Sequence, residues 1–196
     1  MMLAAFAHPV FDSQRTFREL LQAMARPASP RLLPVLPPSP APIAPAAMAV
    51  VLTLCDATTS VWLQQAEDDA IRHIRFHAGV KLAEQPQDAD FALITDPASM
   101  PPLEVFARGD MRYPDRSATL IVQVPAMNAS PASKGGSRFG GPGIRSTQAL
   151  VIDGLPHDFW QQRAALATQL PLGIDLFFVA AQHVVALPRT TRLLES

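Results

Sequence analysis

The C-terminal stretch Pro171-Leu-Gly-Ile-Asp-Leu-Phe-Phe-Val-Ala-Ala-Gln-His-Val-Val-Ala-Leu-Pro-Arg-Thr-Thr191 indicates a β-hairpin. An apolar run from Ile174 to Ala180 is followed by a short polar break at Gln182-His183 and by a second apolar run to Leu187. Because proline has no N–H to donate to a neighbouring strand, Pro188 is expected to end the second strand. The hairpin is the clearest element of the chain, and it requires a sheet to pair with.

One charged residue interrupts the first apolar run of this hairpin. Asp175 is the only charge between Ile174 and Ala180, and burying a carboxylate without a partner is costly. We therefore expect Asp175 to have a partner or to lie at an end of the sheet. We favour an ion pair with Arg189 across the hairpin; the alternative is that Asp175 faces a partner subunit.

Upstream of the hairpin, segments with helical and extended patterns alternate. Apolar spacing and helix-end signals predict helices at residues 12–25, 46–54, 67–77, 101–108 and 156–167. Short apolar runs predict strands at residues 60–63, 91–95 and 118–124. In the first helix, the spacing predicts one buried face, made of Phe17, Leu20, Leu21 and Met24.

Two segments have the composition of loops. Residues 27–45 contain eight prolines and predict a wrapping loop with a short edge strand at Leu32-Leu33. The Gly- and Ser-rich residues 128–143 predict a flexible loop. Alternating strands and helices closed by an antiparallel hairpin predict one α/β domain over residues 1–196, with three α/β/α layers around a mixed sheet.

Composition excludes several classes of function. The net charge of −1 provides no positive field for nucleic acid or an anionic membrane. The longest uncharged apolar segment, Ala46 to Cys55, is half the length of a membrane span, and the first residues lack the basic charges of a signal peptide. Cys55 is the only cysteine, so no intramolecular disulfide can form. We expect a cytoplasmic protein.

Asp69, His73 and His77 are the sharpest candidates for metal ligands. Residues four apart share one face of a helix, and imidazoles with a carboxylate suit zinc or iron. However, three ligands in a row along one straight helix span about 12 Å, which is too far to hold one ion together. A partly exposed helix face is therefore the favoured interpretation, and no metal is expected.

The glycine-rich residues 134–145 raise the question of a phosphate site. Backbone N–H groups freed by glycine, together with Lys134, Arg138 and Arg145, could contact an anion or a partner protein. A P-loop, however, has its lysine after the last glycine, whereas Lys134 comes before the first. A mobile connection between strands is the favoured interpretation, and anion contact is the alternative.

Catalytic side chains of other classes are not evident. The segment Gly135-Gly-Ser-Arg-Phe139 has phenylalanine where a serine nucleophile motif requires its second glycine. Pyridoxal phosphate chemistry requires a desolvated lysine, and Lys81 and Lys134 are both expected to be exposed. The sequence therefore predicts no catalytic residue and no cofactor.

Several ordered blocks nevertheless resemble one family. The block Leu172-Gly-Ile-Asp-Leu176, followed about ten residues later by Ala186-Leu-Pro-Arg-Thr-Thr191, resembles the end of the PhnH family of the bacterial carbon–phosphorus lyase system for phosphonate breakdown. The similarity continues in blocks from the first helix onward, in the family's order: Phe11–Pro27, Leu52–Leu63, Arg75–Gly79, Ala118–Val124 and Gly141–Ile144. Two positions depart from the family, since Ala28 and the turn Ala181-Gln182 stand where glycine is expected.

The resemblance implies a fold similar to the large domain of pyridoxal-phosphate-dependent transferases without the cofactor site. It also implies a homodimer that joins the G, I and J subunits of a core complex, with the I subunit as the most direct contact. Together with an ATP-binding-cassette-type partner, that complex transfers a phosphonate to C1 of the ATP ribose and releases adenine, as a ribose 1-phosphonate 5-triphosphate synthase. We expect a subunit that is not catalytic by itself; the alternative is a stand-alone metal- or phosphate-dependent enzyme using His73 and His77 or residues 134–145.

Overall fold

The computed structural model describes residues 2–129 and 136–195. Within these ranges lie four α-helices: α1 (Pro9–Ala25), α2 (Pro45–Leu54), α3 (Asp68–Ala78) and α4 (Phe159–Ala167). The strands of the same ranges are β1 (Arg31–Leu32), β2 (Ser60–Leu63), β3 (Lys81–Leu82), β4 (Phe91–Ile94), β5 (Thr119–Gln123), β6 (Met127–Asn128), β7 (Ser137–Gly140), β8 (Gln148–Ile152), β9 (Asp175–Ala180), β10 (His183–Leu187) and β11 (Arg192–Glu195).

A seven-stranded mixed sheet forms the centre, with strand order β1-β10-β9-β5-β4-β2-β3. Strands β9, β5, β4, β2 and β3 are parallel to one another, whereas β10 runs antiparallel to both of its neighbours, β9 and β1. The predicted hairpin is confirmed as β9–β10, and β10 ends at Leu187, immediately before Pro188. Because β9 pairs with β5 on one side and β10 on the other, the hairpin converts a parallel sheet into a mixed one.

Side chains on the two faces of the sheet belong to two separate hydrophobic clusters. Ile121 of β5 packs with the cluster that contains buried residues of α1, α2 and α3. Its neighbours Leu120 and Val122 point the other way, into a cluster with Phe159 of α4. The α/β class with a mixed sheet is therefore confirmed, and three helices cover one face.

The opposite face differs from the expected layer of helices. It is covered by α4 together with a four-stranded antiparallel sheet of order β11-β7-β8-β6, and Phe139 and Leu150 of that sheet are buried against the central one. Strand β7 lies within the stretch predicted as a flexible loop, so that prediction is wrong for residues 137–140. The glycine-rich composition hid a strand whose single large apolar side chain, Phe139, packs against Trp160 of α4.

The predicted helix at residues 101–108 is also wrong. The chain forms only a short 3₁₀ turn at Leu103–Val105, and Arg108 then pairs with Ser117 in an isolated β-bridge. Pro101 and Pro102 have no N–H groups to donate, and the extended chain after the turn buries Phe106 in the core. Two apolar side chains of this segment, Leu103 and Phe106, are therefore buried without a full helix.

The buried face of α1 is not the predicted one. Leu20 is buried as expected, but Phe17 and Leu21 are exposed. The buried residues of α1 are Asp12, Thr16, Leu20 and Ala23. Small side chains such as Thr16 and Ala23 let α1 lie close to the alanine-rich helix α2, whereas a phenylalanine at that contact would hold the helices apart.

Helix α2 is buried along most of its length, as its uninterrupted apolar sequence predicted. Despite that apolar character, none of the helices in the described ranges is both long enough and apolar enough to cross a bilayer. Helix α2 instead fills the space between α1, α3 and the central sheet.

Two alanines occupy left-handed backbone conformations that favour glycine. Ala28, which is buried, has φ +59°, and Ala181 at the tip of the β9–β10 hairpin has φ +49°. These are the two positions at which the resemblance described above leads to the expectation of glycine. The hairpin turn consists of Ala181 and Gln182, and His183 already belongs to β10, one residue earlier than the predicted break.

Candidate functional site

The structure brings Asp175 and Arg189 together at the base of the hairpin. Nη2 of Arg189 lies 2.5 Å from Oδ2 of Asp175, and the backbone N–H of Arg189 donates to Oδ1 at 2.7 Å. The same guanidinium donates to the carbonyl oxygen of Pro114 and to the hydroxyl of Ser117. Because both side chains are mostly buried, these contacts give the carboxylate the partner that its burial requires, and that partner is the arginine favoured from the sequence.

A second guanidinium lies at the same end of the hairpin. Arg163 of α4 is 3% exposed and donates from Nη2 to the carbonyl oxygen of Pro188 at 2.6 Å. Burial lowers the pKa of Arg163 to about 10, and the Asp175 carboxylate opposes that shift. Arg163 therefore stays charged at neutral pH, and it ties α4 to the chain that leaves β10.

His73 and His77 lie side by side on α3, with their ring centroids 4.5 Å apart. His73 is 2% exposed, and its Nε2 has no hydrogen-bond partner among the residues that the structure describes. Burial, and secondarily the neighbouring His77, lower the pKa of His73. Nε2 of His77 lies 3.1 Å from the carbonyl oxygen of Leu3, so one of its nitrogens is occupied by the backbone.

The third candidate ligand is engaged by a neighbouring side chain. Asp69 pairs with Arg72, and both residues line, together with His73, a cleft of about 580 Å³. Across residues 2–129 and 136–195, no three His, Cys, Asp or Glu side chains are grouped closely enough to hold a metal ion. The donors present thus amount to one buried imidazole beside a second imidazole that is hydrogen-bonded to the backbone.

Two of the three cationic side chains of residues 134–145, those of Arg138 and Arg145, lie within the described residues. Arg138 lies in β7, where Nη2 donates to the hydroxyl of Thr147 at 3.1 Å and Nε lies 3.9 Å from Glu195. Arg145 is exposed, and Lys134 lies outside the described residues. Lys81, the other lysine of the chain, is exposed on the edge strand β3.

Two glutamines that the sequence analysis did not single out occupy the carboxyl edge of the parallel strands. This is the edge at which α/β sheets usually bind ligands. Oε1 of Gln64 accepts from the N–H groups of Thr95 and Asp96, at 3.0 and 2.9 Å, and its Nε2 donates to the Asp96 carbonyl at 2.8 Å. A polar residue directly after a buried strand was the signal that could have identified Gln64.

Gln123 uses its amide in a similar way. Its Oε1 accepts from the N–H of Ala44 at 2.6 Å, just before α2, and its Nε2 donates to the carbonyl oxygen of Pro42 at 3.2 Å. A cleft of about 340 Å³ lies beside it, lined by Thr95, Gln123 and the tip of β9. Both amides therefore fasten loops to the sheet edge, and neither presents a free set of donors and acceptors to a ligand.

Cys55, at the end of α2, is not a candidate nucleophile. Burial, reinforced by the carboxylates of Asp56 and Asp90, raises the pKa of its thiol to about 12. A nucleophilic cysteine reacts as its thiolate, and this thiol stays protonated at neutral pH. The residue serves as a small buried hydrophobic side chain.

Comparisons with known proteins point to one family. The model of the family described as "Bacterial phosphonate metabolism protein (PhnH)" matches residues 4–194. A protein of Rhizobium meliloti (strain 1021), named alpha-D-ribose 1-methylphosphonate 5-triphosphate synthase subunit PhnH, is 40% identical over 191 residues, covering 96% of this chain and 94% of its own length. A protein of Stutzerimonas stutzeri, named provisionally as the C-P lyase subunit protein HtxG, is 30% identical over 183 residues, covering 92% and 85% of the two chains.

Proposed function

Since this chain belongs to the PhnH family of bacterial phosphonate metabolism proteins, we propose that it is a subunit of a carbon–phosphorus lyase core complex. In that complex it supports the transfer of a phosphonate to C1 of the ATP ribose with release of adenine. The name of the Rhizobium meliloti relative describes a synthase that makes a ribose 1-methylphosphonate 5-triphosphate. The subunit is not catalytic by itself.

The observation that carries this proposal is that the polar groups at the candidate sites are already bound by other groups of the same chain. The amides of Gln64 and Gln123 bind loop backbone, and the Asp175 carboxylate is bound by Arg189. A catalytic acid, base or nucleophile needs a free atom that can approach a substrate. At these three positions the chain's own hydrogen bonds take the atoms that a substrate would use.

We also propose that residues 1–196 form a single domain. Its fold is similar to the large domain of pyridoxal-phosphate-dependent transferases without their cofactor site. Parallel strands with helices packed on one face support the similarity. A Schiff base needs a lysine in a desolvated pocket, and the exposure of Lys81 on an edge strand supports the loss of the cofactor.

The partners we propose are a second copy of this chain and the G, I and J subunits, with the I subunit as the direct contact. The complex works in the cytoplasm, where its ATP is found. Lys134, Arg138 and Arg145 belong to the proposal as contacts to a partner or to an anionic group that the partner holds. The exposed side chain of Arg145 supports that role.

The test is co-expression of the tagged chain with the G, I and J subunits encoded by the same organism. We expect stable co-purification with the I subunit. We also expect synthase activity from the assembled complex supplied with its ATP-binding-cassette-type partner, but none from the isolated chain. The contrary result is a chain that binds no I subunit and acts on phosphonate nucleotides alone. Metal analysis of the active fraction would then distinguish a metal enzyme using His73 and His77 from a phosphate-binding enzyme using residues 134–145.

A further inference from the structure

Helix α1 exposes its large apolar side chains and buries polar ones. Val10, Phe11, Phe17 and Leu21 are 78%, 71%, 48% and 54% exposed. The buried face of the same helix includes the carboxylate of Asp12 and the hydroxyl of Thr16. Single exposed apolar residues are ordinary, but four within about three turns of one helix form a patch, and such patches mark interaction sites.

The spacing of these residues places most of them in one row. Val10, Phe17 and Leu21 stand at positions i, i+7 and i+11, so they lie one above another along the helix, and Gln14 at i+4 completes the row. This is the anchor pattern by which an amphipathic helix enters an apolar groove of another protein. Phe11 lies beside this row.

The charged side chains of α1 that form no salt bridge within the described part of the chain and stay exposed are basic. Arg18 lies next to the apolar row, and Arg15 lies one turn from Phe11 on the same side of the helix. The acidic residues of α1 are occupied: Glu19 pairs with Arg31 at 2.7 Å, and buried Asp12 accepts from the N–H of His8 at 2.9 Å. The surface is therefore apolar and basic.

We propose that the α1 outer surface, defined as Val10, Phe11, Phe17 and Leu21 with Arg15 and Arg18, docks into an apolar groove bordered by carboxylates on the I subunit of the phosphonate-processing complex. The proposal rests on the proposed function, because it requires that complex. The large apolar side chains supply the binding free energy, and the arginines orient the helix on an acidic rim.

The charge pattern argues against a second copy of this chain as the occupant. A two-fold axis through α1 would place the Arg15 and Arg18 guanidiniums of the two copies close together. Helix α1 has no free carboxylate to neutralise them, since Glu19 and Asp12 are already engaged. Like charges brought together at an interface cost binding free energy, so this surface is better suited to an acidic partner.

The test measures binding of the full chain to the purified I subunit, with the variant Phe17→Gln/Leu21→Gln as the main comparison. We expect its dissociation constant to rise on the order of 30-fold or more, as for the loss of central interface residues. Arg18→Glu should weaken binding and reduce its dependence on salt. Met111→Gln is the matched control, because Met111 is also an exposed apolar residue, 75% exposed, and lies outside α1.

Each outcome has one meaning. Unchanged thermal unfolding of the glutamine variant, with lost binding and an unchanged mass by light scattering, supports the docking surface. Binding equal to wild type contradicts the surface and leaves the proposed function intact. If the molecular mass of the glutamine variant falls by half while its binding to the I subunit is unchanged, a second copy of the chain covers α1. That result overturns the choice of occupant. A wild-type chain that binds none of the G, I and J subunits contradicts the proposed function and this surface with it.

Discussion

Arg189 donates three hydrogen bonds to Asp175, from its backbone N–H, its Nε and its Nη2, at 2.7, 3.4 and 2.5 Å. Asp175 is the first residue of β9, and Arg189 follows the last residue of β10 by two positions. The pair therefore closes the open end of the hairpin. Since β9 also pairs with β5, the Asp175–Arg189 pair holds the antiparallel strand β10 next to the parallel strands of the sheet.

Replacing Asp175 with asparagine should lower the free energy of unfolding by about 2–3 kcal/mol. The amide keeps the shape of the carboxylate but removes its charge, and it leaves a mostly buried guanidinium without a counterion. Urea unfolding followed by circular dichroism measures the loss.

The control for this prediction is Asp69→Asn, which breaks an ion pair of a similar kind at an exposed position. Asp69 and Arg72 are 77% and 68% exposed, and we expect a change below about 0.5 kcal/mol because solvent screens such pairs. If Asp175→Asn unfolds like wild type but no longer joins the complex, Asp175 acts at a partner interface instead.

The success of the sequence predictions followed the strength of the local pattern. The β9–β10 hairpin was predictable because long apolar runs and Pro188 mark its strands in the sequence itself. Strand β7 was not, because Ser137–Gly140 has one large apolar side chain and becomes a strand only by pairing with β8 and β11.

The faces of helices and the polar side chains at the sheet edge show the same limit. Periodicity predicted that Phe17 and Leu21 are buried with Leu20, but the close approach of α1 to α2 selects small side chains for that contact. Gln64 and Gln123 bind loop backbone that lies about thirty and eighty residues away in sequence. A polar residue directly after a buried strand can mark such a position in the sequence, but the sequence pattern does not identify a partner at that distance along the chain.

The hairpin turn offers a substitution that should stabilise the protein. Ala181 is exposed and has φ +49°, a conformation that glycine adopts without strain. Ala181→Gly should therefore raise the free energy of unfolding by about 0.5–1 kcal/mol, since the relief of strain exceeds the extra entropy of the unfolded chain.

A matched substitution with the opposite expected sign is Ala165→Gly. Ala165 is exposed within α4, and glycine in a helix interior costs about 1 kcal/mol. Thermal melts of both variants under one set of conditions give the comparison. Destabilisation by Ala181→Gly would mean that the turn carries no strain.

Gly143 should tolerate no side chain. It has φ +80°, and a Cβ atom there would lie 2.3 Å from the carbonyl oxygen of Ala25 at the end of α1. Gly143→Ala should cost more than about 2 kcal/mol, because either α1 or the loop before β8 must move.

The comparison for this glycine is Gly79→Ala at the C-terminus of α3. Gly79 has a similar φ of +68°, but a Cβ there would meet only Ala57, at an ordinary 3.7 Å. Its cost should be about 1 kcal/mol from the backbone alone. The difference between the losses in free energy of unfolding of the two variants, measured by chemical denaturation, isolates the steric part of the cost. Equal losses would contradict a close contact between α1 and Gly143.

The thiol of Cys55 should react only when the protein opens. With a pKa raised to about 12 and a buried position, it is almost entirely protonated and shielded at pH 8. Labelling of the native protein with Ellman's reagent should be at least about 100-fold slower than labelling in urea. Rapid labelling of a protein shown to be folded by circular dichroism would contradict this burial.

His73 should make the protein less stable in acid. Burial and the neighbouring His77 hold the pKa of His73 below its usual 6.5 in the folded protein, so the unfolded chain binds this proton more readily. The stability that neutral His73 permits is fully present above pH 6.5. It falls as the pH drops from 6.5 towards the folded pKa, by at most about 1.4 kcal/mol per pH unit for one proton.

Urea midpoints between pH 8 and pH 5.5 should show this decline in the wild type and a weaker one in His73→Gln, even if that variant is less stable throughout. His157→Gln, which replaces an exposed histidine, should keep the wild-type dependence; a decline as steep in His73→Gln as in the wild type would assign it to other groups.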